Sequence, residues 1–283
     1  MSLPAPLVQT VLRRLGHWEP PAVSFEGLSK LYEGWCRGVS FDNVRKLVAL
    51  FSGAEGELPG ARPDEFFEAW LEHGPGGTCW PAAGALAALL EACGFSVVRA
   101  TGSMFDLGEP NHGLCLVELE GRRWLVDPSM LTEQPIPLEP GRYGDHVPVE
   151  IEGQPESARI WFTSGSQPEL VLCRVLELGV GAERFAERYE ASRGQGPFNR
   201  LLYFRRNLPD RVVVLRGRTK FVHDVTGLNT WELNEAELTK TLGRFGVSQP
   251  LLAQFVSSGA LAASLAAEPL PTRPFPELPP SQR

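Results

Sequence analysis

Gly74-Pro75-Gly76-Gly77-Thr78-Cys79-Trp80-Pro81 is where this chain changes character. Before it, apolar residues recur at helical spacing: Leu7, Val8, Val11, Leu12 and Leu15, then Val44, Leu47, Val48 and Phe51. Residues 63–73 read as a further helix. Pro63 suits a first turn, Asp64 and Glu65 favour the N-terminal dipole, and Phe66, Phe67, Trp70 and Leu71 form the apolar side. The glycine-proline run breaks that helix. Pro81 then opens another, over 81–93, with Leu86, Leu89, Leu90 and Cys93 in one stripe and Gly94 as its stop. From Phe95 the pattern becomes short strands: 96–101, 112–119, 123–127, 147–151, 160–163 and 170–178. Strands in close succession with turns between them predict an antiparallel sheet or barrel. Beyond it, 182–193 reads as helix, 211–215 and 220–225 as strands, and Asn234 caps a helix over 235–245 with another apolar helix from Gln249. Residues 269–283 are crowded with proline and aperiodic, which predicts a disordered tail or an extended arm.

The 283 residues suffice for a substantial core and two or three small lobes. Lys plus Arg is 27 against 34 for Asp plus Glu, giving a net charge of −7. That balance provides no general field for nucleic acid, so an anionic ligand needs a local basic site. No apolar run reaches the ~20 residues that span a bilayer, and the N-terminus does not read as a signal peptide. The five cysteines (36, 79, 93, 115 and 173) have no CxxC spacing, so neither a disulfide framework nor a structural zinc site is expected. A reducing, cytoplasmic setting fits them. Phosphate-cradling glycine motifs are absent, which argues against a nucleotide-dependent reaction.

Cys79 immediately precedes the helix opened by Pro81, where unpaired N–H groups and the dipole favour a thiolate. Position alone leaves open the alternative of a buried small hydrophobe. The following hairpin tips the balance. A two-residue turn at Glu120-Gly121 sets Leu119 opposite Arg122 and Leu114 opposite Asp127. His112, Leu114 and Leu116 then share a face with Leu125 and Asp127, and His112 and Asp127 become diagonal neighbours within side-chain reach. On an otherwise apolar face, each polar group satisfies the other. A thiol, an imidazole and a carboxylate are the parts of an activated sulfur nucleophile: His112 takes the Cys79 proton, and Asp127 orients the ring and stabilises its charged form.

Gly76-Gly77-Thr78-Cys79, Asn111-His112-Gly113-Leu114 and Arg123-Trp124-Leu125-Val126-Asp127 together resemble the arylamine N-acetyltransferases, a family that includes macrolactam-forming amide synthases. Phe41-Asp42-Asn43, Pro197-Phe198-Asn199 and Arg206-Asn207-Leu208-Pro209-Asp210 agree with it. The resemblance implies an α+β fold: a helical lobe (1–94), an antiparallel β-barrel (95–180) carrying the His and Asp, and an α/β lid (181–268), with a papain-like Cys-His-Asp site. It also implies a ping-pong reaction with acetyl-CoA as cosubstrate, no tightly bound cofactor, and an arylamine, hydrazine or hydroxylamine as acceptor. The chain departs from the family around that trio, with Pro75 for Arg before the glycines, Pro81 and Ala83 after the cysteine, and Pro128-Ser129-Met130-Leu131 after the aspartate.

Those departures surround the cleft, so donor and acceptor stay open. The rivals are an amide synthase working on a chain held by an acyl carrier protein, a transglutaminase- or protease-like enzyme, and a non-catalytic binding module. Arg216, Arg218 and Lys220, around Gly217, form a basic cluster suited to a coenzyme A phosphate or to a solvated hairpin tip. Cys36, Cys93, Cys115 and Cys173 read as core, and His146 as solvent-facing.

Overall fold

The computed structural model describes residues 2–144, 148–167, 169–194, 196–267 and 281. The first helices follow from their apolar stripes. α1 (Ala5–Arg14) buries Val8, Val11 and Leu12. α2 (Phe25–Gly38) begins where the Ser24 hydroxyl accepts the Gly27 N–H, and it buries Leu28, Leu31, Tyr32, Trp35 and Cys36, one 3.6-residue face. After β1 (Phe41–Asp42) come α3 (Val44–Phe51) and α4 (Pro63–His73), the latter with the limits its sequence gives. α5 (Cys79–Ala92) starts two residues earlier than expected: Thr78 is its extended N-cap and Cys79 its first helical residue. Proline is harmless throughout a first turn, whose N–H groups have no intrahelical acceptor, so Pro81 marks the turn without marking its first position. α5 is buried on nearly every side, its alanines letting helices and sheet close around it.

The second region is an antiparallel sheet of eight strands: β2 (Ser96–Met104), β3 (His112–Leu119), β4 (Arg122–Leu125), β5 (Ile136–Pro137), β6 (Gly141–Tyr143), β7 (Val149–Glu152), β8 (Arg159–Thr163) and β9 (Leu170–Leu178). Their order is β5-β4-β3-β2-β9-β8-β7-β6. The edge strands β5 and β6 follow each other in the chain without pairing, leaving a nearly closed barrel. Leu114, Leu116, Leu125, Ile160, Phe162 and Val171 share one core, while the alternate residues Cys115 and Val117 pack with α5. β5 and β6, two and three residues long, are too short to leave a period in the sequence. The expected strand 147–151 is β7; Val147 and the neighbouring His146 lie outside the described residues.

The third region contains α6 (Ala182–Ala191), β10 (Tyr203–Leu208), β11 (Arg211–Arg216), β12 (Thr219–Asp224), β13 (Gly227–Glu232), α7 (Glu235–Arg244), α8 (Gln249–Ser257) and α9 (Ala260–Ala266). Asn234 and Glu237 form a reciprocal capping box at α7, as the Asn234 reading anticipates. The strands form a meander, β10-β11-β12-β13, with β1 added at its edge beside β10. Phe204, Leu215, Leu238, Leu242 and Phe255 pack there with Val44 and Leu47 of α3. The sequence reading missed β10 because Arg205 and Asn207 occupy buried positions, and β13 because most of it is exposed. The architecture is thus α+β, with a helical lobe, a nearly closed antiparallel barrel and an α/β lid. The tail at 269–283 lies outside the described residues except for Ser281. Among the described residues, no helix is long and apolar enough to cross a membrane.

Candidate active site

The β3–β4 hairpin has the anticipated register. Glu120 and Gly121 both have positive φ (53° and 74°), Leu119 pairs with Arg122, and Leu116 pairs with Leu125. β4 ends at Leu125, two residues short of the expected limit, because Asp127 turns its side chain to other work. Its Oδ2 lies 3.0 Å from His112 Nε2, and its Oδ1 accepts the Ser129 and Met130 N–H groups at 2.7 and 2.8 Å. Both residues are enclosed, His112 at 4% exposure and Asp127 at 0%. Burial pulls the imidazole down, but the charge and hydrogen bond of Asp127, followed by those of Cys79, overcome it and push His112 up to about 10. With Nε2 on Asp127, Nδ1 is the ring nitrogen left to face the Cys79 thiol.

The first turn of α5 carries Cys79, 5% exposed, with its Sγ 4.0 Å from the Asn111 carbonyl. Asn111 closes the β2–β3 loop by bonding both the N–H and the carbonyl of Met104. Gly113 is required for the close approach of helix and hairpin: a Cβ there would come within 2.8 Å of the Trp80 ring and 3.1 Å of Phe185. Gly76 is equally constrained, since its Cβ would fall 2.1 Å from the Ser40 carbonyl oxygen. Its N–H donates to Asp42 Oδ2 at 2.8 Å, the same oxygen that accepts the Ser40 hydroxyl at 2.7 Å, while Val44 N–H donates to Oδ1. Burial pushes Asp42 up to about 6. A parallel bridge from Phe41 to Gly77 completes the seat.

Several contributors escaped the sequence reading. Lys46 is 4% exposed, with its Nζ 2.9 Å from Ser192 Oγ and 5.6 Å from the Tyr189 ring centroid. Burial draws its amine down to about 8, while Cys79 is the strongest influence in the other direction. Arg205 reaches from β10 to the carbonyls of Thr163 (3.0 Å) and Met130 (2.9 Å), and Asn207 to that of Leu131 (2.8 Å). Tyr32 donates to the Asp127 carbonyl at 2.6 Å. The segment from Asp127 to Leu131 is thus fixed from two elements, α2 and β10. The only sequence signal was polar residues standing in apolar segments.

The basic cluster of Arg216, Arg218 and Lys220 lies at the β11–β12 turn. Arg218 Nε is 3.4 Å from Glu232, and Lys220 stands 5.6 Å over the Trp231 ring, so these charges are engaged within their own sheet. Cys36, Cys93, Cys115 and Cys173 are buried, as expected. Among the described residues, no cluster of three or more His, Cys, Asp or Glu could hold a metal ion.

A family model described as N-acetyltransferase matches residues 24–163. A search of curated proteins returned no match. Solved structures align over almost the whole chain. A Mycobacterium smegmatis arylamine N-acetyltransferase is 20% identical, with a TM-score of 0.77, covering 91% of this chain and 98% of its own. A Mycobacterium marinum enzyme of the same name, in complex with CoA, is 19% identical with a TM-score of 0.75, covering 91% and 98%. A Bacillus cereus relative, described as having a Cys-His-Glu catalytic triad, is 16% identical with a TM-score of 0.72, covering 87% and 100%. The match to the N-acetyltransferase family model covers 24–163, and the fold of the whole chain is that of the arylamine N-acetyltransferases.

Proposed function

We propose that the protein is an N-acyltransferase that carries an acetyl or other acyl group on Cys79, from acetyl-CoA to an arylamine, hydrazine or related amine. The observation that supports this most strongly is the enclosed His112, bonded to Asp127 and electrostatically coupled to Cys79 at the first turn of α5. In the first half-reaction the Cys79 sulfur attacks the thioester carbonyl while His112 holds the thiol proton. The carbon–sulfur bond to CoA breaks, and His112 returns the proton to the departing thiolate. In the second, the amine attacks the Cys79 thioester, His112 takes the amine proton, and the amide leaves as the Cys79–acyl bond breaks. First-turn N–H groups of α5 are the donors for the oxyanion in both steps. Asp127 keeps Nε2 protonated and stabilises the imidazolium.

The carboxylate in third place parallels the Glu described for the Bacillus cereus relative, and the CoA complex of the Mycobacterium marinum relative supports a CoA donor. Segment 1–94 supplies the thiol, 95–180 the imidazole and carboxylate, and 181–268 the lid, a division that belongs to the same proposal. The five free thiols suit a reducing cytoplasm.

Intact-protein mass spectrometry after mixing with acetyl-CoA is the test. One added acetyl group, absent in Cys79→Ala, is the expected result. Rapid alkylation of Cys79 without any acetyl adduct would reject acetyl-CoA and direct the search to carrier-bound donors. An inert Cys79 would overturn the enzymatic reading.

A further inference from the structure

A cleft of about 810 Å³ lies between the C-terminal end of α1, the middle and end of α2, Arg206 of β10 and the end of α7. Arg14, Lys30, Arg37, Arg206 and Arg244 line it, against the single carboxylate of Glu33. Such a concentration of positive charge is unexpected in a chain of net charge −7. Two of the five cations are neutralised: Arg37 by Glu33 at 2.7 Å and Glu133 at 3.4 Å, and Lys30 by Glu26 at 2.6 Å. The other three have no carboxylate within ion-pair distance among the described residues. Arg14 lies over the Trp70 ring at 5.6 Å, and Arg206 donates to the Gly38 carbonyl at 3.0 Å. Arg206 is partly buried, and its guanidinium is pulled down first by that burial and then by the charge of Arg14.

Like charges that converge without a counterion raise the energy of the empty cleft, and an anion relieves that cost. Guanidinium forks match phosphate oxygens in bidentate geometry, and the volume is that of a small-molecule pocket. Glu33 and the exposed rim disfavour an apolar occupant. We propose that this cleft is a binding site for a phosphate-bearing anion of nucleotide size, held by Arg14, Arg206 and Arg244. Gly74, five residues before Cys79, lines the same cleft, so an occupant would border the loop that seats the thiol. Two sources present this chemistry: the nucleotide portion of a CoA donor, or a free pyrophosphate or nucleotide.

The test is calorimetric titration of the full chain with inorganic pyrophosphate and with adenosine 3′,5′-bisphosphate, independent of any acyl transfer. Saturable binding that weakens with salt is expected, with roughly tenfold or greater loss in the Arg14→Gln, Arg244→Gln double variant. Both side chains are exposed, and a thermal melt confirms that the variant folds. Arg206→Lys keeps the charge but loses the fork, and should weaken binding by a smaller factor. Failure of wild-type protein to bind either probe, or equal affinity in the double variant, overturns the proposal. Displacement of pyrophosphate by CoA would support the donor's nucleotide as the occupant. Pyrophosphate binding unchanged at saturating CoA would support a separate anion.

Discussion

Asp127 and Asp42 are the same residue type at the same depth, 0% and 1% exposed, yet they hold different company. Each uses Oδ1 to fix the backbone that follows it, at Ser129 and Met130 in one case and at Val44 in the other. The second oxygen separates them. Asp127 Oδ2 meets an imidazole, whereas Asp42 Oδ2 meets a hydroxyl and the N–H of Gly76. Neutral donors only partly offset the cost of burying Asp42, so its carboxyl rises to about 6. The pair with His112 instead holds a proton on the ring. On the proposed mechanism, a buried aspartate is a clamp or part of a proton relay according to whether its free oxygen faces a fixed donor or a titratable one.

The sharpest challenge to that contrast is Asp127→Asn. It should keep the fold but lower acyl-transfer turnover by roughly 10²–10⁴-fold, measured by steady-state kinetics beside the rate of Cys79 alkylation. Turnover near wild type would erase the distinction. Asp42→Ala removes the acceptor of the Ser40 hydroxyl and the Val44 N–H and the shorter of the two bonds from the Gly76 N–H, and urea denaturation should report a loss of about 1–3 kcal/mol. The two sites also differ in their pH windows. Asp42 is raised from 3.8 to about 6, so the stability it favours is complete below pH 3.8 and is lost as pH rises through 6. His112 is raised from 6.5 to about 10, so its contribution is complete below pH 6.5 and disappears as pH rises through 10. Denaturation of wild type against His112→Gln across pH 6–10 should therefore show a narrowing gap, and Asp42→Asn should narrow its gap between pH 4 and 6. The smallest effect is expected for Lys46→Met, which removes a cation near the thiol: alkylation of Cys79 at neutral pH should slow by less than about tenfold.

The hairpin was legible because its geometry is local. A two-residue turn at Glu120-Gly121 fixes the register, and strict alternation then places His112 and Asp127 on one face. Cys79 was legible because the glycine run and Pro81 announce a helix start, although not its first residue. Arg205, Asn207 and Lys46 were not legible. Each is a polar residue buried through partners far away in the chain, such as Arg205 to Met130 or Lys46 to Ser192, and their presence weakens the apolar pattern that reveals strands and core. The basic cleft was hidden for a related reason: Arg14, Arg206 and Arg244 come from three elements that only tertiary folding brings together.

The pairing of β1 with β10 has a consequence for the order of events during synthesis. Asn43 donates to the carbonyls of Phe198 and Leu201 and accepts the Tyr203 N–H, and Phe41, which pairs with Arg205, also bridges to Gly77. The seat of the thiol is thus finished by residues made more than a hundred positions after it. A ribosome that has completed the cysteine, the histidine and the aspartate has not yet completed the support beneath them. Reactivity at Cys79 should therefore arrive late, only once the strand around Arg205 has emerged, so that abandoned nascent chains carry an ordinary cysteine instead of an armed one.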